Sequence, residues 1–586
     1  MSTRRDSRRR RAAWRPGIEG LERRLAPAVG INPGARLPAF DIGTPQVADI
    51  WVDPVRGTDG AAGSTRDAAV RTLGEAWRRV PMDVPLVRGF RINLVAGSYP
   101  ESIVPHYWEN RLGSFSAPVI LRAADGPGTA KLPGMNVAGC TSLYLDGLEI
   151  SAGGGDVLHF ASCSRILVRN CTVRGTGSIA DYSVPQEALK VNQCQYVYIE
   201  GCDISGAWDN AIDFVAVQYG HVVGSKVHRS GDWAMYAKGG SASITVTGNA
   251  FFDAGTGGFT AGQGTGFEFM VAPWTRYEAY DIAFTNNVVH DVQGAGFGVN
   301  GGTNIRIANN TLYRVGGRSH VIEVGFGSRS CDGDVATCRA NLAAGGWGPT
   351  ATDVEVPIPN DGVQIVDNVV LNPDGYRSQW QHFAIAGPRT PPAGTNVPSP
   401  ARADVNLRIA GNIVWNGNAS QELGVEGAAL AAAIRAANTI NTVRPTLVDP
   451  ARGDYRLLTQ PPAPVAPPVR PPLPPLSAAF RAIAAPAAGR PVTSVTITFS
   501  RPVRGVTLDD FVLARGGSVV SLAGTRITSR DGRSFTIAGI PRTAAPGGYA
   551  LRLKTVGTGI VDAAGTGLAA GARTTWTMPA RPAAGR

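Results

Sequence analysis

The chain has 586 residues, of which 73 are glycine and 42 proline and only 17% are charged, a balance that suits a turn-rich all-β protein. No apolar run approaches the roughly 18 residues that a membrane-spanning helix needs, so no such span is expected. The net charge is +11, but residues 1–25 hold nine arginines against Asp6, Glu19 and Glu22, so the body carries only about +5. With no concentrated Lys/Arg face beyond that arm, nucleic acid is excluded as the expected partner, while an anionic substrate is permitted.

In chain order, residues 1–47 open on RRDSRRRRAAW and continue to GLERRLAPA, without the apolar stretch of an ordinary signal peptide. The segment LERRLAP, Leu21–Pro27, resembles the Arg-rich leader at the start of many exported planctomycete proteins. That resemblance implies a basic, largely disordered export leader over 1–47 and a secreted or cell-surface location. Residues 50–102 read as a strand, a Gly/Asp loop, an amphipathic helix with Leu73, Ala76 and Trp77 on one face, and a second strand. A helix there can cap the first coil of a solenoid, covering its apolar interior.

The segments ILVRNC, VYIEGC, ITVTGN, IAFTNN, IRIANN, VQIVDN and LRIAGN then place Cys171, Cys202, Asn249, Asn287, Asn310, Asn368 and Asn412 at one phase, with Ser225 between the second and third. The spacing is a basic turn of 23 residues with insertions. Three short strands per turn of that length make a parallel β-helix, in which inward asparagines can hydrogen-bond from coil to coil. Cys140, Cys163 and Cys194 lie eight residues before Leu148, Cys171 and Cys202 and form a second column. Seven cysteines leave at least one unpaired, and the CDGDVATC loop can close Cys331 on Cys338. The strand–helix–strand opening and the DPARGDYRLL ending of residues 48–458 resemble the secreted right-handed β-helix proteins of the pectate-lyase-like superfamily.

The same period aligns outward residues. Lys190, Asp213 and Tyr236 are 23 apart, and in the inserted coils GTGFEFM, GAGFGVNGG and SHVIEVGFG place Glu268, Gly298 and Glu323 at that station. Two residues on come Asn192, Val215, Lys238, Met270, Asn300 and Gly325, with Arg318 and His320 nearby. Such a face suits proton abstraction beside a sugar carboxylate, with Lys238 as the base and Glu268, Arg318 and His320 as further catalytic candidates. Asp209, Asp213 and Asp232 are candidate oxygen ligands for calcium. WDNAID and GDWAMYAKGG are similar to the acidic-turn, Lys-Gly-Gly arrangement of family 9 polysaccharide lyases, departing from it at Trp233 and Tyr236 and in having fewer aspartates. Trp233, Tyr236, Trp274, Tyr277, Asn300, Glu323, Trp347 and Trp380 are the expected substrate contacts, several on insertions that can overhang the sheet. Outward charges can equally pair across strands, and loop aromatics can equally pack the loops down.

Residues 459–476 form a proline-rich spacer, and the alternating strands of 477–586 suit a seven-strand immunoglobulin-like sandwich with a short disordered tail, resembling modules appended to secreted bacterial enzymes and adhesins. The expectation is therefore an exported, monomeric polysaccharide lyase acting on a uronate-containing polymer. The alternatives are a non-catalytic glycan-binding β-helix protein and an inverting hydrolase using Asp213 with Glu268, or Glu268 with Glu323, about two coils apart.

Overall fold

The computed structural model describes residues 37–180, 185–417 and 421–458, and residues 476–580 apart from short breaks at 484, 489, 517, 530, 541, 542, 544, 555–557, 563–567, 569 and 570. The leader motif Leu21–Pro27 and nearly all of the proline-rich spacer lie outside the described residues. The chain divides into two compact units, 1–464 and 465–586.

In the first unit the alternating segments become three long parallel sheets of fourteen, ten and twelve strands, each gaining strands coil by coil. One coil comprises Leu189–Asn192, Gln195–Glu200 and Asp203–Ala207, and the next comprises Ile212–Val215, Gln218–Val223 and Lys226–Ser230. Their registers, Lys190↔Asp213, Val197↔Gly220 and Ile204↔Val227, all step by 23 residues. Side chains alternate across each strand, so Leu189, Val191, Ile212 and Phe214 point into one continuous apolar core. The short helix Leu73–Arg78 adds Leu73, Ala76 and Trp77 to that core, and Thr72 caps its N-terminus by accepting from the Glu75 amide.

The phased residues form a ladder. Ser225 N donates to Asn249 Oδ1, and the same link runs from Asn249 to Asn287, Asn310, Asn368, Asn412 and Asn438 at 2.9–3.0 Å. The residue before each rung explains the small or polar position in the pattern. Asn170, Gly201, Gly224, Gly248, Asn286, Asn309, Asp367 and Gly411 all have φ between 54° and 71°, the left-handed bend that glycine, asparagine and aspartate tolerate best. Each bend turns the next side chain inward, where an amide finds partners and a thiol packs as a small apolar group. All five free cysteines are buried, and Cys331 is bonded to Cys338. The unit closes with the antiparallel pair Leu447–Asp449 and Asp454–Leu457, whose Leu447 and Tyr455 cover Val288 and Leu371 on the outside of the twelve-stranded sheet.

The second unit contains two four-stranded antiparallel sheets and a two-stranded pair. Its own apolar cluster includes Ile497, Leu513, Ile537, Leu551 and Trp576.

Candidate functional site

The outer face of the ten-stranded sheet carries the charged rows. Its station reads His159, Lys190, Asp213, Tyr236, Thr260, Gly298, Glu323 and Ala384 along the axis. Glu268 is not at this station, which corrects the expected register: Thr260 occupies it, and Gly262 rather than Met270 follows two residues on. The strand is Gly257–Ala261, with Phe259 inward, while Glu268 belongs to a short 3-10 helix, Phe267–Phe269. There Glu268 accepts from the amide of Asp332 at 2.8 Å and helps to hold the Cys331–Cys338 loop. The Phe267/Phe269 alternation imitates a strand, and the paired glycines that form the true one look like a turn.

Asp213 and Glu323 are therefore separated by four strand steps, about 19 Å at the usual strand spacing. That is well beyond the roughly 6.5–9.5 Å of an inverting carboxylate pair. With Glu268 off the face, neither expected hydrolytic pair forms.

Two polar groups occupy this face. In the first, Lys190 Nζ lies 3.1 Å from Glu187, 3.6 Å from Asp156 and 4.0 Å from Asp213. Burial, a hydrogen bond with Asp156 and the charge of Asp213 push Glu187 up to about 9, so it holds a proton. Asp156 goes the other way: burial raises it, but the Glu187 hydrogen bond and the Lys190 charge outweigh that. Burial also raises Asp213, against the pull of Lys238 and Lys190, and raises Asp232. Asp209 is pushed up to about 6 by burial and by the charges of Asp232 and Asp213.

Lys238 differs from Lys190. Among the described residues no carboxylate comes within 4.0 Å of its ammonium, which lies 4.3 Å from the centre of the Tyr236 ring and 3.3 Å from Gln263 Oε1. The turn behind it is pinned from below. Glu278 Oε2 accepts from the Gly239 amide at 3.0 Å and from Thr265 Oγ1 at 2.7 Å, while Glu278 Oε1 pairs with Arg329. Both members of that pair are fully buried, and Arg329 also ties the backbone of Thr275 and Trp347. Sequence reasoning missed this pair because the partners are 51 residues apart across two insertions, with no period to connect them.

In the second group, Asn300 Nδ2 donates to Glu323 Oε1 at 2.6 Å and to Thr260 Oγ1 at 3.2 Å. His320 Nε2 lies 2.9 Å from Glu323 Oε2, and its Nδ1 is 3.0 Å from Ser319 Oγ. Asn300 and Glu323 face a cleft of about 760 Å³. Arg318 is on the turn before this group, exposed, donating to the Gly255 carbonyl at 2.6 Å.

The expected aromatic contacts divide. Trp233 and Tyr236 are buried together against Ala295. Tyr277 and Trp347 pack edge to face, 4.7 Å apart, inside a separate apolar cluster, and Trp274 meets Tyr219 edge-on at 6.0 Å. These side chains hold the insertions down, with the residual exposure on Trp274 and Tyr277; Trp380, 56% exposed, is the one open to solvent. The carboxylates of Asp209, Asp213 and Asp232 do not fit a calcium cage. Among the described residues the sole trio of His, Cys or acidic donors within 4.8 Å is Glu268 with Cys331 and Cys338, and those sulfurs are bonded to each other. Asp209 instead accepts from Asn210 at 2.5 Å, and Asp213 is next to the Lys190 cation.

Residues 131–271 match the family described as "Right handed beta helix region". The winding is a right-handed parallel β-helix. No curated protein matches the chain. Among solved structures, the β-helix is similar to pectate lyase Pel9A, at 15% identity over 47% of this chain and 71% of that one, with a TM-score of 0.32. Tailspike protein 2 of the Escherichia coli O157:H7 bacteriophage CAB120 aligns at 10% identity over 92% and 69%, with a TM-score of 0.33. The alginate lyase of Paenibacillus sp. str. FPU-7 aligns at 15% identity over 54% and 91%, with a TM-score of 0.25. No helix among the described residues is long and apolar enough to cross a membrane.

Proposed function

We propose that this protein is a carbohydrate-active protein that works outside the cell and cleaves a uronate-containing polysaccharide by β-elimination, with Lys238 as the base. The observation that carries this reading is the difference between the two lysines of the sheet. Lys190 has three acidic side chains within 4.0 Å, Asp156, Asp213 and the protonated Glu187, whereas Lys238 has none within 4.0 Å among the described residues. Its amine is thus left for a substrate, at the end of the strand Trp233–Lys238 on the outer face of the sheet. In the reaction the Lys238 side chain, as the neutral amine, takes the proton from the carbon next to the sugar carboxylate. The released electron pair forms a carbon–carbon double bond, and the glycosidic C–O bond breaks, its oxygen taking a proton from water. The Cys331–Cys338 disulfide supports an oxidising, extracellular setting. No step is assigned to calcium, because the donor set does not converge.

The test incubates the full chain with pectate, alginate and glycosaminoglycans and follows the ultraviolet absorbance of unsaturated ends. Unsaturated product from one polymer, lost in Lys238→Ala, supports the reading. Reducing ends without unsaturation, or full activity in Lys238→Ala, refute it.

A further inference from the structure

In the Asn300–Glu323–His320 group, Asn300 is two strand steps from Lys238 and Glu323 three, about 10 and 14 Å along the axis, too far to touch the same bond. It has its own concavity, the cleft of about 760 Å³, formed where residues 421–426 meet the end strand of the sheet, Phe383–Ile385. We infer that this cleft is a binding subsite for an uncharged, hydroxyl-rich sugar unit, so that the polymer lying along the sheet is a heteropolysaccharide carrying neutral sugars as well as uronates.

Four features lead there. The first is charge: Glu323, Glu422 and Glu426 line the cleft against Arg435 and against Arg389, which pairs with Glu426 at 3.6 Å, leaving a net negative charge that disfavours a sugar carboxylate. The second is donor and acceptor geometry. The Asn300 amide and the Glu323 carboxylate, 2.6 Å apart, present adjoining polar groups of the kind that neighbouring sugar hydroxyls bridge. The third is an orphan. The Gln421 amide donates to the carbonyl of Trp380 and to Ser378, yet its Oε1 is buried in the cleft wall with no donor among the described residues, an acceptor that a hydroxyl would satisfy. The fourth is Trp380, 56% exposed, next in the chain to the lining residue Gln381 and 6.4 Å ring to ring from His320, an aromatic side chain open to solvent beside a polar cleft. His320 itself is buried and fixed between Ser319 and Glu323, which holds the carboxylate in place.

The inference rests on the outer face of the sheet being a polysaccharide track and does not rest on elimination at Lys238. The experiment is isothermal titration of the full chain with neutral hexaoses of xylose, mannose, galactose and glucose. At least one neutral hexaose is expected to bind. Trp380→Ala and Glu323→Gln should each weaken it about tenfold, the scale of a dominant contact. Lys238→Ala should stay within about twofold, since that residue is about 10 Å from Asn300 and about 14 Å from Glu323. Trp380 is on the surface, so its variant leaves the fold intact, and Glu323→Gln keeps shape while removing charge. Silence from all four neutral hexaoses, or unchanged affinity in Trp380→Ala, overturns the inference. Loss of unsaturated product in Lys238→Ala with neutral-sugar binding retained separates this site from the elimination centre.

Discussion

Replacing Asn310 with alanine tests the internal ladder at its centre. Asn310 is buried, with Oδ1 accepting from the Asn287 amide at 2.9 Å and Nδ2 donating to the Phe284 carbonyl at 3.0 Å and to Asn368 Oδ1 at 2.8 Å. Alanine leaves the Asn287 N–H and the Phe284 carbonyl without those partners, whereas Asn368 Oδ1 keeps the Asn310 amide at 3.0 Å. The Phe284 carbonyl stays in the ladder with the strand Arg306–Ala308, so one buried orphan, the Asn287 N–H, gives an expected loss of about 1–3 kcal/mol. Asn310→Asp should cost more, since it places a charge against the Phe284 carbonyl and Asn368 Oδ1. The control is Asn406→Ala, an exposed asparagine bonded to Asp361, for which about 0.5 kcal/mol or less is expected. Urea unfolding followed by far-ultraviolet circular dichroism gives the difference from the midpoint and slope. An Asn310→Ala variant within about 0.5 kcal/mol of the wild type, or equal to Asn406→Ala, would refute the ladder as a stabilising device.

Glu187 is raised in the folded state from 4.5 to about 9, so folding favours its protonated form and the stability it contributes is lost as pH rises through that window. Melting temperature should therefore fall between those pH values, and Glu187→Gln, which keeps a donor for Asp156, should flatten the slope; an unchanged slope contradicts the assignment. Glu278→Gln should destabilise by about 3–5 kcal/mol in thermal unfolding, because it leaves the Arg329 guanidinium buried without its counter-charge. Glu278→Leu combined with Arg329→Met should recover most of that loss, and a double variant no better than the single one would contradict the account.

How much was legible in advance follows from where the period holds. Cys202, Ser225 and Asn249 are spaced by a nearly unbroken turn, and their inward column and the Lys190–Asp213–Tyr236 station were readable because one strand step equals one sequence period. The insertion after Ala261 broke that rule. Phe267 and Phe269 offered an alternation like that of a strand, and only burial of Phe259 against Phe284, with rings 4.3 Å apart, decides that Gly257–Ala261 is the true strand. The aromatic loops were legible as insertions but not as packing: Trp347 buries itself against Tyr277 through contacts that no local pattern encodes. The cleft escaped sequence reasoning because its walls come from segments separated by about a hundred residues, Asn300 and Glu323 on one side and Gln421 to Glu426 on the other.

The reading of Lys238 as the reacting base is tested most directly by a crystal structure of the Lys238→Ala variant soaked with a tetrauronate from whichever polymer the full chain degrades. The account places the oligosaccharide along the outer face of the ten-stranded sheet, with one sugar carboxylate and its neighbouring C–H over the position vacated by the lysine side chain. An oligosaccharide bound to another sheet, or running along this one with its reacting C–H turned away from residue 238, would contradict it.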